Sequence, residues 1–403
     1  MNKTDLLRSN CEILKESKDC RYFFFDSPSQ TIIAEGEFAK IKCSPDQYNT
    51  KIVKEYLKRA QELGNENPII VGAFQFDKIK NAKLFIPSEY KIYNRLDNKL
   101  SKSTVFNNFM NDFHIEPIPT PAEYIEGVRK GIEKIKTGGL EKVVLSRSLK
   151  IDTPKKIDSK QLLLKLLEGN SDGYTYSMDI SDKNEVQNKE KILIGSSPEL
   201  LISKKGINII STPLAGSRPR KKDKLEDEEM ARELLTSPKD LKEHNFVVEA
   251  IVNAIRPFCS EVNYSKKPSL LNTETMWHLS TEIQGKLLNP NVTSLELALA
   301  LHPTPAVCGT KTDNAKQLIK EIEQFDRNFF TGMIGWCDMN GDGEWVVTIR
   351  CAELEENVIK IYAGAGIVKD SIPEEELAET NAKFQTMLNA IQSINKGAEN
   401  NNA

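Results

Sequence analysis

The most informative group of reactive side chains in this sequence lies near its C-terminus. A glycine-rich turn, Ala363 to Val368, runs into a segment that carries Glu376, Glu379 and Lys383. On a helix, positions i, i+3 and i+7 share one face, so two carboxylates and an ammonium converge below bare backbone N–H groups. Such a set suits a divalent cation that carries a small carboxylated ligand. The alternative is an ordinary solvent-exposed i,i+4 ion pair.

A further acidic side chain, Glu243, falls within a predicted helix that begins at Ser237-Pro238. Helical spacing places Glu243 on the same face as Val247, so its carboxylate lies on the buried stripe and needs a partner. A magnesium ion shared with Glu376 and Glu379 would supply one, since hard oxygen ligands suit Mg²⁺. The alternative is a glutamate that reaches solvent from the first turns of the helix, where the helix dipole favours negative charge.

Two side chains have the sequence context that proton transfer requires. Lys142 opens the apolar run Val143 to Leu145, and burial of an amine favours the uncharged form that a base needs. Glu199 follows a Ser-Ser-Pro turn and precedes an apolar strand, where burial would suit a proton donor. Both have a plainer interpretation, because lysines at strand edges and glutamates in turns usually reach solvent.

Arg350 and His278 complete the set of candidate side chains. Arg350 ends the alternating run Trp345 to Arg350, so its guanidinium can emerge at a strand end and bind a carboxylate through two hydrogen bonds. His278 faces away from the aliphatic side of its strand, although a lone histidine is more often a structural group than a catalyst. Together, these residues describe a site for a small dicarboxylate that undergoes proton-coupled substitution.

The composition points to a small-molecule partner. The 403 residues carry a net charge of −3, with 55 basic and 58 acidic residues dispersed along the chain, which argues against nucleic acid. No apolar run is long enough to cross a membrane and the charged opening is unlike a signal peptide, so we expect a cytoplasmic protein. The seven cysteines contain no CxxC pair and the four histidines no HExxH, so neither a disulfide framework nor zinc is indicated.

The order of predicted elements indicates an α+β fold. Three strand-like runs follow one another with short turns, namely Met333 to Asp338, Trp345 to Glu353 and Val358 to Gly364. Two others are predicted at Lys142 to Ile151 and Ile192 to Ser203. Large, mainly antiparallel sheets covered by outer helices are therefore expected.

Two parts of unequal length are expected along the chain. Residues 1–112 read as a strand-rich N-terminal part packed on a catalytic region over 113–397, with a loop from about Asn94 to Asn111 between them. The tail over 398–403 is polar and predicted to be disordered. At the start of the catalytic region, Thr120-Pro121-Ala122-Glu123 predicts a capped helix that continues to about Lys136.

The candidate residues lie in short motifs that follow one another in a recognisable order. They are Lys142 to Arg147, Gly195 to Leu201, Thr212 to Arg220, Lys242 to His244, Met276 to Ser280, Leu301 to Gly309, Gly343 to Trp345, Ile349 to Glu353, Gly364 to Val368 and Glu379 to Lys383. By these motifs, over about residues 115 to 395, the chain resembles the chorismate-utilising enzymes related to anthranilate synthase component I, and among them the isochorismate synthases.

That resemblance implies a role for each residue. Lys142 would be the general base that activates water for attack at C2 of chorismate, and Glu199 the acid that protonates the departing C4 hydroxyl. Glu243 and Glu379, with Glu376 in support, would hold Mg²⁺ on the ring carboxylate. The residues expected to bind substrate are Gly216, Ser217, His278, Ala306, Val307, Arg350, Gly364 and Lys383.

A few positions bear on the branch of the family. Lys142 stands where amine-transferring relatives carry glutamine, Ala215 where aminodeoxychorismate synthases carry lysine, and Ala306 where salicylate synthases tend to carry threonine. These positions favour water as the nucleophile and isochorismate as the product. Val307 in place of leucine, and the lack of a proline after Gly309, depart from the isochorismate synthase pattern.

The resemblance thus predicts a Mg²⁺-dependent isochorismate synthase that acts on chorismate without an obligatory glutaminase subunit. The siderophore branch, which makes 2,3-dihydroxybenzoate, is favoured over the menaquinone branch. One alternative is a salicylate synthase, which would go on to eliminate pyruvate. Another is a non-catalytic chorismate-binding subunit that needs a partner.

Overall fold

A computed structural model describes residues 23–42, 48–77, 82–94, 113–170, 172–182 and 189–399. The strands are β1 Phe23–Asp26, β2 Gln30–Glu35, β3 Ala39–Lys40, β4 Ile70–Phe74, β5 Lys83–Ile86, β6 Glu89–Asn94, β7 His114–Ile118, β8 Val143–Asp152, β9 Tyr174–Asp179, β10 Lys191–Ser197, β11 Leu200–Lys205, β12 Asn208–Thr212, β13 Leu214–Pro219, β14 Cys259–Tyr264, β15 Ser269–Asn272, β16 Met276–Ser280, β17 Ile283–Leu287, β18 Met333–Cys337, β19 Gly343–Val347, β20 Cys351–Glu355 and β21 Val358–Ile367.

The α-helices are α1 Thr50–Glu62, α2 Pro121–Lys136, α3 Ser159–Glu168, α4 Lys224–Thr236, α5 Pro238–Ile255, α6 Ser294–Leu301, α7 Thr312–Ile322 and α8 Pro373–Glu399. The predicted capping box is confirmed at the start of α2, where the Thr120 hydroxyl accepts from Glu123 N–H and the Glu123 carboxylate accepts from Thr120 N–H. At α5, Ser237 is the N-cap and Pro238 the first helical residue, as expected.

Two nine-stranded sheets dominate the fold. The first sheet has the order β6-β2-β1-β9-β10-β20-β21-β8-β7, and the second has the order β14-β17-β12-β11-β19-β18-β4-β5-β3. A small sheet, β13-β16-β15, stands beside them. Every strand pairing within the described ranges is antiparallel, so the predicted α+β class with large antiparallel sheets is confirmed.

Three apolar layers, together with a fourth cluster in which α2 and α7 pack on β8 and β21, hold the sheets and helices together. Between the two large sheets, side chains from both inner faces pack in one cluster that includes Phe23, Ile334 and Val346. Outside the first sheet, α3 and α8 bury their apolar stripes through residues such as Leu163 and Phe384. Outside the second sheet, α1, α5 and α6 do the same. The order of layers is therefore helices, sheet, sheet, helices, which buries both faces of each sheet.

Two predicted strands are broken where the chain passes from one large sheet to the other. The run Ile192 to Ser203 divides into β10 in the first sheet and β11 in the second, with Pro198 and Glu199 at the crossing. The run Trp345 to Glu353 divides in the same way into β19 and β20. The prediction of single strands was wrong because both halves are apolar, and alternation alone does not reveal a change of sheet.

The two crossings lie side by side. Ser196 N–H donates to the carbonyl of Arg350 at 3.0 Å, and Val347 N–H donates to the carbonyl of Glu199 at 3.2 Å. Arg350 has a φ of 49°, in the left-handed region that non-glycine residues rarely adopt. An acid and a guanidinium are thereby fixed at one junction between the two sheets.

The N-terminal strands are hydrogen-bonded into both large sheets. Strand β1 pairs with β9 in the first sheet, and β4 pairs with β18 in the second. The predicted loop near 94–111 falls almost wholly outside the described residues, as do residues 400–403 of the predicted tail, while α8 continues to Glu399. None of the described helices is both long and apolar enough to span a bilayer.

Candidate active site

A cavity opens at the junction of the two large sheets and the small sheet. Its empty space is about 630 Å³, open solvent at its mouth included. All predicted site residues except Lys142 and Glu376 line it. Those that do are Glu199, Gly216, Ser217, Glu243, His278, Ala306, Val307, Arg350, Gly364, Glu379 and Lys383. The structure thus brings together side chains that are spread over about half of the sequence.

Glu199 reaches the cavity from the first crossing and is almost fully buried, at 3% exposure. Burial raises the pKa of its carboxyl to about 7. Opposing this, its carboxylate accepts a hydrogen bond from the Leu214 backbone and lies in the field of three cations, Lys142, Lys383 and Arg350. The protonated form therefore remains populated near neutral pH, which is the state that a proton donor needs.

Arg350 reaches the cavity from the second crossing. Its guanidinium donates through Nη2 to Nε2 of His278 at 3.3 Å. Burial lowers the pKa of Arg350 to about 10, so it stays charged at neutral pH. Burial also lowers the pKa of His278 well below its ordinary value, and the charges of Arg350 and Lys383 lower it further. His278 is therefore neutral and serves as the acceptor that fixes the direction of the guanidinium.

The glycine turn and α8 meet at Lys383. Its ammonium donates to the Gly364 carbonyl at 2.7 Å and pairs with Glu379 Oε1 at 2.6 Å. Burial opposes ionisation of Glu379, but the Lys383 ammonium and the Ser217 hydroxyl outweigh it, so the pKa of Glu379 is lowered. The Lys383 and Glu379 side chains are only 14% and 20% exposed and both line the cavity, so they are not the ordinary surface pair of the alternative interpretation.

Lys142 lies behind the cavity wall rather than on it. Its side chain is fully buried, and Nζ stands 2.9 Å from Oε1 of Glu243, which does line the cavity. Apart from that contact, Nζ has no hydrogen-bond partner of good geometry among the residues that the structure describes. Gly366 makes the pair possible, since a Cβ there would stand 2.2 Å from Glu243 Oε1 and 3.0 Å from Lys142 Cε.

Glu376 is also set back from the cavity. Its carboxylate accepts from Lys239 Nζ at 2.7 Å and is 2% exposed. Burial and the neighbouring charge of Glu379 raise the pKa of Glu376 to about 7. The three acids predicted to share a metal ion are thus each paired with a lysine. Across the described ranges, no three His, Cys, Asp or Glu side chains are grouped to hold a metal together.

Several residues of the site were not predicted from the sequence. Phe330 and Tyr362 stack at 5.0 Å between ring centroids and line the cavity. Arg327, which is 2% exposed, donates to the carbonyls of Val144 and Val307 and so ties two wall segments together. An arginine in a polar stretch gives no signal of burial, and only its i,i+4 spacing from Glu323 hinted at a pair.

The fold and the site define a class of enzyme. Residues 88–392 match the family model described as "Chorismate binding enzyme". The chain therefore belongs to the chorismate-binding enzyme family, and the resemblance seen in its motifs is confirmed. The fold that this membership implies, with two large antiparallel sheets under outer helices, agrees with the observed architecture.

Among its relatives, the isochorismate synthase DhbC of Bacillus subtilis (strain 168) is 48% identical over 92% of this chain and 93% of that protein. The vibriobactin-specific isochorismate synthase of Vibrio cholerae is 39% identical over 91% of each chain. A crystal structure described as a putative 2,3-dihydroxybenzoate-specific isochorismate synthase, DhbC, from Bacillus anthracis matches with a TM-score of 0.88 and 50% identity. That match covers 94% of this chain and 98% of the other.

Proposed function

We propose that this chain isomerises chorismate to isochorismate, with Lys142 as the base, Glu199 as the acid and Mg²⁺ as the cofactor. The observation that carries the proposal is the Glu199 carboxyl, which burial keeps partly protonated near neutral pH inside a cavity that also holds two cations. The relatives named above support it, since their names assign isochorismate synthesis to proteins that match over nine-tenths of this chain.

The cavity suits the charge of the substrate. Chorismate carries two carboxylates, and Arg350 and Lys383 both present cationic groups to the cavity. A guanidinium held by a neutral histidine can bind one carboxylate through two parallel hydrogen bonds. Lys383 can turn from Glu379 towards the other, because a lysine ammonium is a flexible point charge. Binding at both ends would hold the ring in one orientation.

The proposed reaction adds one water and releases one. A water molecule that reaches Lys142 past Glu243 loses a proton to its amine as the water oxygen bonds to C2 of the ring. The ring double bonds shift, the bond between C4 and its oxygen breaks, and the leaving hydroxyl takes the proton of Glu199. The product is an isomer of the substrate, and both residues return to their starting states by exchanging protons with solvent.

The carboxylates fit a magnesium ion by their chemistry. Mg²⁺ is often held by one or two carboxylates together with the substrate, and Glu243 and Glu379 both line the cavity while Glu376 lies behind them. When bound there, Mg²⁺ would neutralise the ring carboxylate and draw the charge of Glu243 away from Lys142. That second effect matters because a base accepts a proton only as a free amine, and Lys142 Nζ stands 2.9 Å from Oε1 of Glu243.

The proposed nucleophile and product, among those found in the family, depend on small side chains in the cavity wall. Ala215 and Ala306 both line the cavity, so neither position presents an amine or a hydroxyl to the substrate. This favours water as the nucleophile and release of isochorismate without loss of pyruvate. We assign the product to 2,3-dihydroxybenzoate siderophore synthesis, because the Bacillus anthracis relative is described as 2,3-dihydroxybenzoate-specific.

Product analysis with purified protein tests the proposal. Chorismate and Mg²⁺ should yield isochorismate by chromatography, and a chelator should abolish its formation. Lys142→Ala should remove turnover while leaving chorismate binding largely intact. Lys150→Ala is the matched control, because Lys150 lies near the far end of β8, the strand that directly follows Lys142, and is partly exposed.

Three results would contradict the assignment. Full activity of Lys142→Ala would remove the proposed base. Salicylate plus pyruvate as the products would favour a salicylate synthase. No turnover by the isolated wild-type chain, with chorismate bound, would favour a subunit that needs a partner.

A further inference from the structure

The charges around the proposed magnesium site balance without any metal. Three carboxylates, Glu243, Glu376 and Glu379, face three ammonium groups. Two of those groups act in the proposed reaction, since Lys142 is the base and Lys383 contacts the substrate. The third belongs to Lys239, which the proposed mechanism does not use.

Lys239 lies one helical turn before Glu243 on α5, so the two side chains share a face of that helix. Its ammonium stands 2.7 Å from Oε1 of Glu376 on α8. Burial lowers the pKa of Lys239, but Glu376, then Glu379 and Glu243, raise it, and together they bring it above its ordinary value. A single ammonium thus lies in the field of all three carboxylates assigned to the metal.

The two members of the Lys239–Glu376 pair differ in their access to solvent. The Lys239 side chain is 24% exposed, whereas that of Glu376 is 2% exposed. A lysine ammonium on a four-carbon stem can swing into water at little cost, while the buried carboxylate has no such freedom. A buried carboxylate without a cation raises the free energy of the folded protein, so any cation that can reach Glu376 will pair with it.

We propose that Lys239 is a built-in cation that occupies the carboxylate of Glu376 until a divalent ion displaces it. This inference rests on the proposed magnesium dependence. Its consequence is that Lys239 weakens the binding of Mg²⁺ in the absence of substrate, because the ion must first expel an ammonium and then remain near it. In return, the acidic site stays folded and electrically balanced when no metal is bound.

Isothermal titration of the substrate-free protein with Mg²⁺ tests the competition. In the wild-type protein, the ion meets a Glu376 carboxylate that is already paired with Lys239 at 2.7 Å. Lys239→Met should bind Mg²⁺ at least about tenfold more tightly than the wild type, since a unit positive charge has been removed next to the site. Lys239→Arg keeps that charge and should stay within about threefold of the wild type.

Lys242→Met is the matched control, because Lys242 lies on the same helix but is exposed and its ammonium stands over Phe246, 5.7 Å from the ring centroid. It makes the same change of charge at an exposed side chain that is not one of the ion-pair partners of the three carboxylates, and it should leave Mg²⁺ affinity unchanged. A second readout is thermal unfolding. Lys239→Met should melt below the wild type without metal, and Mg²⁺ should raise its melting temperature more than it raises that of the wild type.

Equal or weaker Mg²⁺ binding by Lys239→Met would overturn the inference and make Lys239 a positioning residue for Glu376. An equal gain in affinity for Lys242→Met would also overturn it, since the effect would then be one of net charge alone. Absence of Mg²⁺ binding in every variant, with isochorismate still formed in the presence of a chelator, would remove this inference together with the proposed cofactor. It would leave the proposed isomerisation standing.

Discussion

Replacing Glu199 by glutamine gives a test of the proposed acid that does not depend on catalysis. The carboxyl has a pKa of about 7 in the folded protein because burial disfavours its charge, against an ordinary value of 4.5. Between these two pH values, the folded state holds a proton that the unfolded state has released. The free energy of unfolding therefore falls as pH rises through this window, and the penalty is complete above the folded pKa.

The size of the penalty follows from the two pKa values. Their difference, multiplied by about 1.36 kcal/mol per pH unit, gives about 3 kcal/mol. The amide of Glu199→Gln does not titrate, so the variant escapes this loss. Relative to the wild type, it should gain about 3 kcal/mol of stability between pH 4.5 and pH 8.5, while isochorismate formation is lost.

Urea denaturation at several pH values, followed by tryptophan fluorescence, measures this difference. Trp345 is fully buried in the core and reports on unfolding of the second sheet. Titrating groups that do not interact with Glu199 are shared by the two proteins, so their contributions cancel in the comparison. A stability difference between the wild type and Glu199→Gln that does not change from pH 4.5 to 8.5 would refute the raised pKa and the role that rests on it.

Three further substitutions test how the site is held. Gly366→Ala should reduce turnover by about 100-fold, because its Cβ would stand 2.2 Å from Glu243 Oε1 and displace that carboxylate, as steady-state kinetics will show. Arg327→Met should lower the free energy of unfolding by about 3 to 5 kcal/mol in urea denaturation, because Glu323 would remain buried without its cation. Arg350→Lys should raise KM for chorismate by about tenfold or more, because an ammonium cannot reproduce the paired donors of a guanidinium. Unchanged kinetics in the first and third variants, or unchanged stability in the second, would contradict these contacts.

Much of the architecture could be predicted because it depends on local patterns in the sequence. The capping box at Thr120 begins α2, and the Ser237-Pro238 pair begins α5, since caps depend on neighbouring residues alone. Strand alternation and short turns indicated large antiparallel sheets, and these were confirmed. What local patterns did not reveal was the change of sheet at Glu199 and Arg350, because a strand looks alike whichever sheet it joins.

The sequence by itself determined which charged residues were candidates for the site. The types and spacing of Glu376, Glu379 and Lys383 indicated a charged face on α8, and the motifs around Lys142 and Glu199 marked the family. These features can be recognised from the sequence alone because helical periodicity and short motifs do not depend on residues that are distant along the chain.

Only the tertiary structure decided which groups meet. It paired each acid with its own lysine and placed Lys142 behind Glu243 over the bare Cα of Gly366. It also brought Arg350 against His278, 72 residues apart in sequence. The physical reason is that burial and electrostatic fields depend on distances in space, and these are fixed by the packing of two sheets rather than by the order of residues.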